Sequence, residues 1–429
     1  MRIIFIAVQI LCLVGGYAPG YAQNNTRLST QVKQQSPYYS QQTARLEQAD
    51  LYMVRPDFSF TSVSLRIDSG MVFDGSYLVH RQDTFYLDAD EHLSEDISFQ
   101  VSNLVIFDTP VEEVRFNPGA IRGDVIWSFF NAAGGKKDVN EQLRTQQPKQ
   151  RSEACEEPDF VPATTWRAGL PPPSYNRLIT SVEHVIVHHS ATYNTLNDYD
   201  NVVRNIYLFH TQDRGWSDIG YNYLIAQDGT IFEGRSAGAN DQAHDNVQGA
   251  HFCGQNSRTM GICLLGNYNT AEPSDPALTS LVKLTAWKVN KEGLDPLSAR
   301  AHPANATLGT VAGHRDGCDT ECPGENLYAR LGEIRIAVAD YIDRGCQQDN
   351  EAVVSVYPVP ADGMLNVSLP DTLSLETIRA YDMTGKIREV TLSNRSGTFQ
   401  VDTHAWSAGA YVLCLRGPGW EERRTILIQ

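Results

Sequence analysis

At 429 residues the chain is long enough for roughly three domains of about 150 residues each, and 41% hydrophobic with 9% aromatic content excludes both a single small module and wholesale disorder. Lys and Arg number 35 against 51 Asp and Glu, a net charge of -16. Without an excess of cations, nucleic acid is excluded as the natural partner, because a polyanion is repelled at long range.

Residues 1–22, MRIIFIAVQILCLVGGYAPGYA, place one cation (Arg2) before an apolar core and end in small residues at Gly20 and Ala22. This is the pattern of a secretory signal peptide cleaved after Ala22. A membrane anchor needs about 20 apolar residues, and Gln9 and the Gly15 to Gly20 stretch interrupt the run. Cleavage removes Arg2 and Cys12, leaving 34 of the 35 cations and seven of the eight cysteines. No later segment is apolar enough to span a bilayer, so no transmembrane segment is expected in the mature chain. In an oxidising compartment disulfides would consume six cysteines and leave one over, as a free thiol, an intermolecular bridge or a metal ligand.

Residues 23–42 are polar and Gln/Ser-rich, and read as a flexible leader. From 43 to 131 short alternating runs, such as Val63, Leu65, Ile67 and Ile97, Phe99, Val101, predict a β-rich accessory domain. Phe58 and Phe60 are out of phase with Val63 to Ile67, which predicts a bulge or a strand break. Nothing in this domain gathers titratable residues into a recognisable site. The Gly-, Lys- and Gln-rich stretch 132–154 reads as a linker.

Strands and helices interleave from 155 to 346. VEHVIVHHS is a β-branched strand, and a helix over Asp200 to Gln212 carries Val203, Ile206, Tyr207 and His210 on one face. YNYLIAQDGTIFEGR reads as a hairpin turning at Asp228-Gly229. TMGICLLGNY is a buried strand, Pro276 to Lys291 a helix, LGTVAGH a strand, and Glu325 to Asp343 a closing helix. Such alternation defines an α/β domain. After a polar break at 347–352, residues 353–429 return to short alternating strands, with Tyr411, Leu413, Leu415 and Ile426, Ile428 in phase, as a small β-sandwich. The expected fold is therefore multidomain: an α/β catalytic domain between an N-terminal all-β accessory domain and a C-terminal small β-sandwich.

Chemistry concentrates in two segments. Side chains alternate along a strand, so His188 and His189 point to opposite faces and only one can face a given site; adjacent histidines like these are more often structural. In AGHRDGCDTECPGENLY a strand ending at Gly313 delivers His314, and Cys322 follows eight residues later. Two imidazoles and one thiolate make a three-ligand zinc site with the fourth position open, the arrangement of a catalytic rather than a structural zinc. The competing reading pairs Cys322 with Cys318. His210 on an apolar helix face reads as a hydrogen-bonded core histidine.

FHTQDRGWSDIGYNYLIAQDGTIFEGR, followed by GAHFCGQNSRTMGICLLGNY and GHRDGCDTECPG, closely resembles the peptidoglycan recognition proteins and the phage-type N-acetylmuramoyl-L-alanine amidases across residues 160–345. The resemblance implies a mixed central sheet flanked by helices and a substrate groove with Zn2+ on its floor. The family's ligands fall on His188, His314 and Cys322, and its catalytic tyrosine falls on Tyr221. Family members without hydrolytic activity replace the cysteine, which is present here. Thr320 stands where the phage enzyme has a lysine, so it can relay a proton or hydrogen-bond but cannot supply a charge. His251 lies in a loop matching the groove, with either sugar or peptide contact or a structural role; Asn256 and Arg258 lie just beyond, and Arg258 could pair with a stem-peptide carboxylate. Ser236 and Ala237 replace the Gly-Trp of many recognition proteins, so the third stem residue is not legible.

Cys155 and Cys346 bracket the domain, compatible with a bridge between its ends, and Cys253 and Cys318 in loops near the groove could pair; spacing alone does not fix connectivity. Cys263 and Cys414 sit in apolar strands and could simply be buried thiols. VYPVPADGMLNVSL, IRAYDMTGKI and GAYVLCL resemble the C-terminal sorting domain of the type IX secretion system of Bacteroidota, which implies that machinery as a partner and a secreted or surface product exported through the periplasm. The expected activity is a secreted zinc amidase acting on peptidoglycan, between N-acetylmuramic acid and L-alanine. Two alternatives stand beside it: a non-hydrolytic peptidoglycan-binding module, and a zinc peptidase acting within the stem peptide.

Overall fold

The computed structural model describes residues 26–47, 51–91, 98–133, 155–174, 177–236, 244–346, 354–361, 363–369, 373–383, 386–388, 390, 392–395, 398–418 and 420–428. The signal peptide, most of the 132–154 linker and the 347–352 linker lie outside the described residues.

Two sheets face each other in the N-terminal region. One runs Thr26–Arg27, Tyr52–Val54, Val114–Asn117, Tyr77–His80, Asp83–Tyr86; the other runs Thr30–Gln35, Tyr39–Leu46, Gly123–Phe130, Phe60–Asp68, Phe99–Val101, with Val105–Val111 also on Phe60–Asp68. Alternation along the strands puts Val63, Leu65, Leu78, Phe116, Trp127 and Phe129 between the sheets. The register shifts between Phe60 and Ser62, which is the bulge the out-of-phase phenylalanines predict.

The flexible leader is corrected: Thr26–Arg27, Thr30–Gln35 and the start of Tyr39–Leu46 are strands. Thr30–Gln35 lies at a sheet edge with its side chains largely in water, held by a main-chain ladder to Ser40–Ala44. Such an edge strand needs no apolar residues of its own; Leu28 and Tyr39 supply the burial on either side. The linker is also corrected at its start, since Ala132 is buried and its carbonyl accepts from Arg204 Nε at 2.8 Å.

The central domain is built on a five-stranded sheet in the order Ile231–Glu233, Tyr223–Ile225, Thr259–Leu264, His184–His189, Val311–Gly313. The first pair is antiparallel and the rest parallel, so the sheet is mixed. Parallel strands covered on both faces bury every side chain, as His184–His189 and Thr259–Leu264 do. Helix Tyr199–Leu208 packs on one face, and helices Asp275–Lys291 and Leu331–Asp343 on the other. Two starts are capped by the local sequence: Asp198 accepts from Asn201 N at 3.1 Å, and Ser274 from Ala277 N at 3.2 Å.

Three elements differ from expectation. Helix Tyr199–Leu208 widens after Leu208 into a turn closed by Arg214 N to Phe209 O at 3.1 Å. LGTVAGH splits between a hairpin strand, Asn305–Gly309 paired with Ala299–His302, and the sheet strand Val311–Gly313. The closing helix breaks at Arg330 into Glu325–Ala329 and Leu331–Asp343.

The C-terminal residues form two four-stranded sheets around a core of their own that includes Leu365, Ala380, Leu413 and Ile426. The N-terminal sandwich, besides the core between its sheets, shares a second core with the central domain: Tyr39, Ile106 and Phe130 pack with Val203, Tyr207 and Phe209.

Disulfides join Cys155 to Cys346 and Cys253 to Cys318. Cys263, Cys322 and Cys414 remain thiols, so four cysteines rather than six are bridged; Cys263 is buried as expected and Cys414 half-buried. Cys263 and Cys414 lie on strands of two different cores and cannot meet.

Candidate metal centre and cleft

His188 is delivered by the second-to-last residue of strand His184–His189, and the alternation of that strand separates it from His189 as expected. His188 faces Cys322, His314 and Tyr221, whereas His189 receives Tyr268 N on Nδ1 at 3.2 Å and binds Glu91 through Nε2. His314 follows the neighbouring strand directly. The turn after it is pinned by Asp316, which accepts from Gly313 N at 2.8 Å and from Tyr328 OH at 2.6 Å.

The Cys322 loop folds back onto this turn: Arg315 N donates to Cys322 O at 3.0 Å, and Cys322 N donates to Thr320 Oγ1 at 3.1 Å. His189 N donates to Cys322 Sγ at 3.4 Å. One ligand atom from each of His188, His314 and Cys322 lies within 4.8 Å of the others, and all three residues are buried. His188 Nδ1 stands 3.6 Å from Cys322 Sγ, and the two imidazole centroids are 4.5 Å apart. Two nitrogens and one sulfur converging in this way are the donor set zinc prefers, with three protein ligands and room for a fourth.

Tyr221 closes the group from the side, its ring 5.2 Å from that of His188. Burial, and then the neighbouring Cys263 and Cys322, push the phenol well above its usual pKa, so it remains a proton donor at neutral pH. His210 is a core histidine that accepts from Gly220 N at 3.1 Å.

Nothing in the sequence pattern points to a contribution from the N-terminal region. A cleft of about 350 Å3 above Tyr221 is lined on one side by Asp88, Asp90 and Glu91 and on the other by Ser190, Thr192 and Glu321. Asp90 pairs with Arg214 and Glu91 with His189, so the accessory loop is fixed to the wall of the site.

The three residues expected to touch substrate make contacts within the protein. His251 is 6% exposed and bonds His188 Nε2 through Nδ1 at 3.0 Å. Burial, followed by the charge of Arg235, lowers its pKa to about 3 and keeps it neutral. Asn256 Oδ1 accepts from His251 N at 2.7 Å and Phe252 N at 2.9 Å. Arg258 pairs with Glu183 at 3.2 Å, and its backbone lies in the left-handed region at φ 63°.

Residues 179–325 match the family described as N-acetylmuramoyl-L-alanine amidase, and residues 355–429 the secretion system C-terminal sorting domain. Peptidoglycan-recognition protein SC2 of Drosophila simulans is 36% identical over 40% of this chain and 84% of its own length. Peptidoglycan-recognition protein LB of Drosophila melanogaster is 36% identical over 36% of this chain and 63% of its own. The human N-acetylmuramoyl-L-alanine amidase is 33% identical over 30% of this chain and 19% of its own. The chain belongs to the family of peptidoglycan recognition proteins and N-acetylmuramoyl-L-alanine amidases, and carries a type IX sorting domain at its C-terminus.

Proposed function

We propose that this protein is a secreted zinc-dependent amidase that hydrolyses the amide between N-acetylmuramic acid and L-alanine in peptidoglycan. The observation that carries the reading is the buried convergence of His188, His314 and Cys322 beside Tyr221. The two imidazoles and the thiolate would hold Zn2+, with one position left open. A zinc ion held by these three residues would supply polarisation of the scissile carbonyl and acidification of water. Tyr221, kept protonated by burial, donates its phenol proton in a hydrogen bond to the carbonyl oxygen as that oxygen gains charge. Thr320 carries no charge; it fixes the ligand loop by accepting from Cys322 N, and its hydroxyl can still donate. The cleft above Tyr221 takes the stem peptide. The sorting domain directs the chain through type IX secretion machinery after signal-dependent passage to the periplasm, so the enzyme meets peptidoglycan outside its own cell.

The test incubates the mature protein with purified peptidoglycan, with and without a chelator, and identifies the new amino terminus. Alanine, lost with the chelator, is the expected result. Another amino terminus identifies a peptidase within the stem, and none identifies a binding module; either overturns the amidase reading. Cys322→Ser is expected to lose bound zinc and at least about 100-fold in kcat/KM together, since each lost electrostatic contribution to the transition state costs about 100- to 1000-fold. Hydrolysis retained in that variant overturns the assignment.

A further inference from the structure

The proton positions around His188 can be deduced outward from a group that can only accept. The carbonyl of Asn256 accepts from Thr259 Oγ1 at 2.9 Å, so the threonine proton is spent there and its oxygen is free to accept. His251 Nε2 lies 3.3 Å from that oxygen and is therefore the protonated nitrogen of its ring. A neutral imidazole protonated on Nε2 is an acceptor at Nδ1, which faces His188 Nε2 at 3.0 Å. His188 must then carry its proton on Nε2, and its Nδ1 lone pair is left on the side of Cys322 Sγ, 3.6 Å away.

The seat of the His251 ring is built for it. A Cβ at Gly261 would come within 2.6 Å of the imidazole, and one at Gly249 within 2.4 Å. The two rings meet edge to face with centroids 5.0 Å apart, and the Asn256 side chain ties down His251 from its backbone.

We propose that His251 is a positioning residue for the metal: through the Asn256–Thr259–His251 chain it fixes the His188 tautomer and ring orientation that present Nδ1 to the ion. This deepens the zinc reading above and rests on it. A metal-binding histidine commonly donates its second ring N–H to a carboxylate or a carbonyl; here a buried neutral imidazole takes that proton.

The test reads metal affinity and geometry without substrate, on the full mature chain. Zinc dissociation constants come from competition with a chromogenic chelator, and ligand geometry from the visible absorption spectrum of the Co2+-substituted protein. His251→Leu keeps volume and removes the acceptor; it is expected to weaken zinc about 10- to 100-fold and to shift the Co2+ bands. His251→Asn keeps an acceptor oxygen where Nδ1 stood and is expected to recover most of that loss. Thr259→Val keeps the ring but frees its proton placement, and is expected to weaken zinc about 3-fold, a fraction of the full effect.

Near-UV circular dichroism checks folding, and where His251→Leu fails that check the asparagine and valine variants carry the test. Wild-type affinity and an unchanged spectrum in His251→Leu, or in Thr259→Val where the leucine variant does not fold, overturn the proposal. So does an equal loss in the leucine and asparagine variants, which marks packing alone. A wild-type protein that binds no zinc overturns both readings; one that binds zinc but releases no alanine overturns only the amidase reading.

Discussion

The two β regions that flank the central domain are attached to it in opposite ways. The N-terminal sandwich shares a hydrophobic core with the central domain, and buried polar contacts cross the seam. Thr61 and Ser62 hydroxyls both donate to Asn205 Oδ1 at 2.7 Å, Asp213 pairs with Arg66 at 3.3 Å, and Asp90 pairs with Arg214. The C-terminal sandwich closes a core of its own and touches the central domain through contacts such as Glu272 N to Val359 O at 3.1 Å. A region built into its neighbour's core cannot be cut away without opening that core, whereas one that packs only its own core can be.

The largest way to break this comparison is truncation. Removal of residues 26–133 exposes Val203, Tyr207 and Phe209 and strips one wall from the cleft, so the remaining chain is expected to be insoluble or inactive. Removal of residues 355–429 is expected to leave kcat/KM on soluble peptidoglycan fragments within about 2-fold, as befits an independent domain. Thermal unfolding and activity measured on both truncations decide the matter, and equal damage from the two would erase the distinction.

Next in size is the ion pair at the N-terminal seam. Asp90→Asn leaves Arg214 buried beside a neutral partner and is expected to cost about 3 kcal/mol in urea unfolding. The matching change in the C-terminal sandwich, Glu421→Gln opposite the exposed Arg416, is expected to leave the midpoint unmoved. A smaller loss than that of Asp90→Asn is expected of Asn205→Ala, which removes the acceptor shared by two buried hydroxyls and costs about 2 kcal/mol by the same measurement.

Much of this was legible in the sequence because it is periodic or local. The alternation of VEHVIVHHS places His188 and His189 on opposite faces, and the short spacing from His314 to Cys322 brings both to one turn. The bulge near Phe60 and the Asp228-Gly229 hairpin follow from the same kind of signal. The strand Thr30–Gln35 was not legible, because an edge strand is held by its main chain and its polar side chains look like those of a tail.

The sequence by itself determined the two histidines and the cysteine of the candidate site, their order along the chain, the tyrosine beside them and the α/β frame that carries them. Only the tertiary structure decided what surrounds them. His251 reaches His188 across 63 positions, and Glu91 reaches His189 across 98. Single side-chain contacts over such distances leave no period in the sequence, so the partner of His188 and the second wall of the cleft emerge only when the cores are packed.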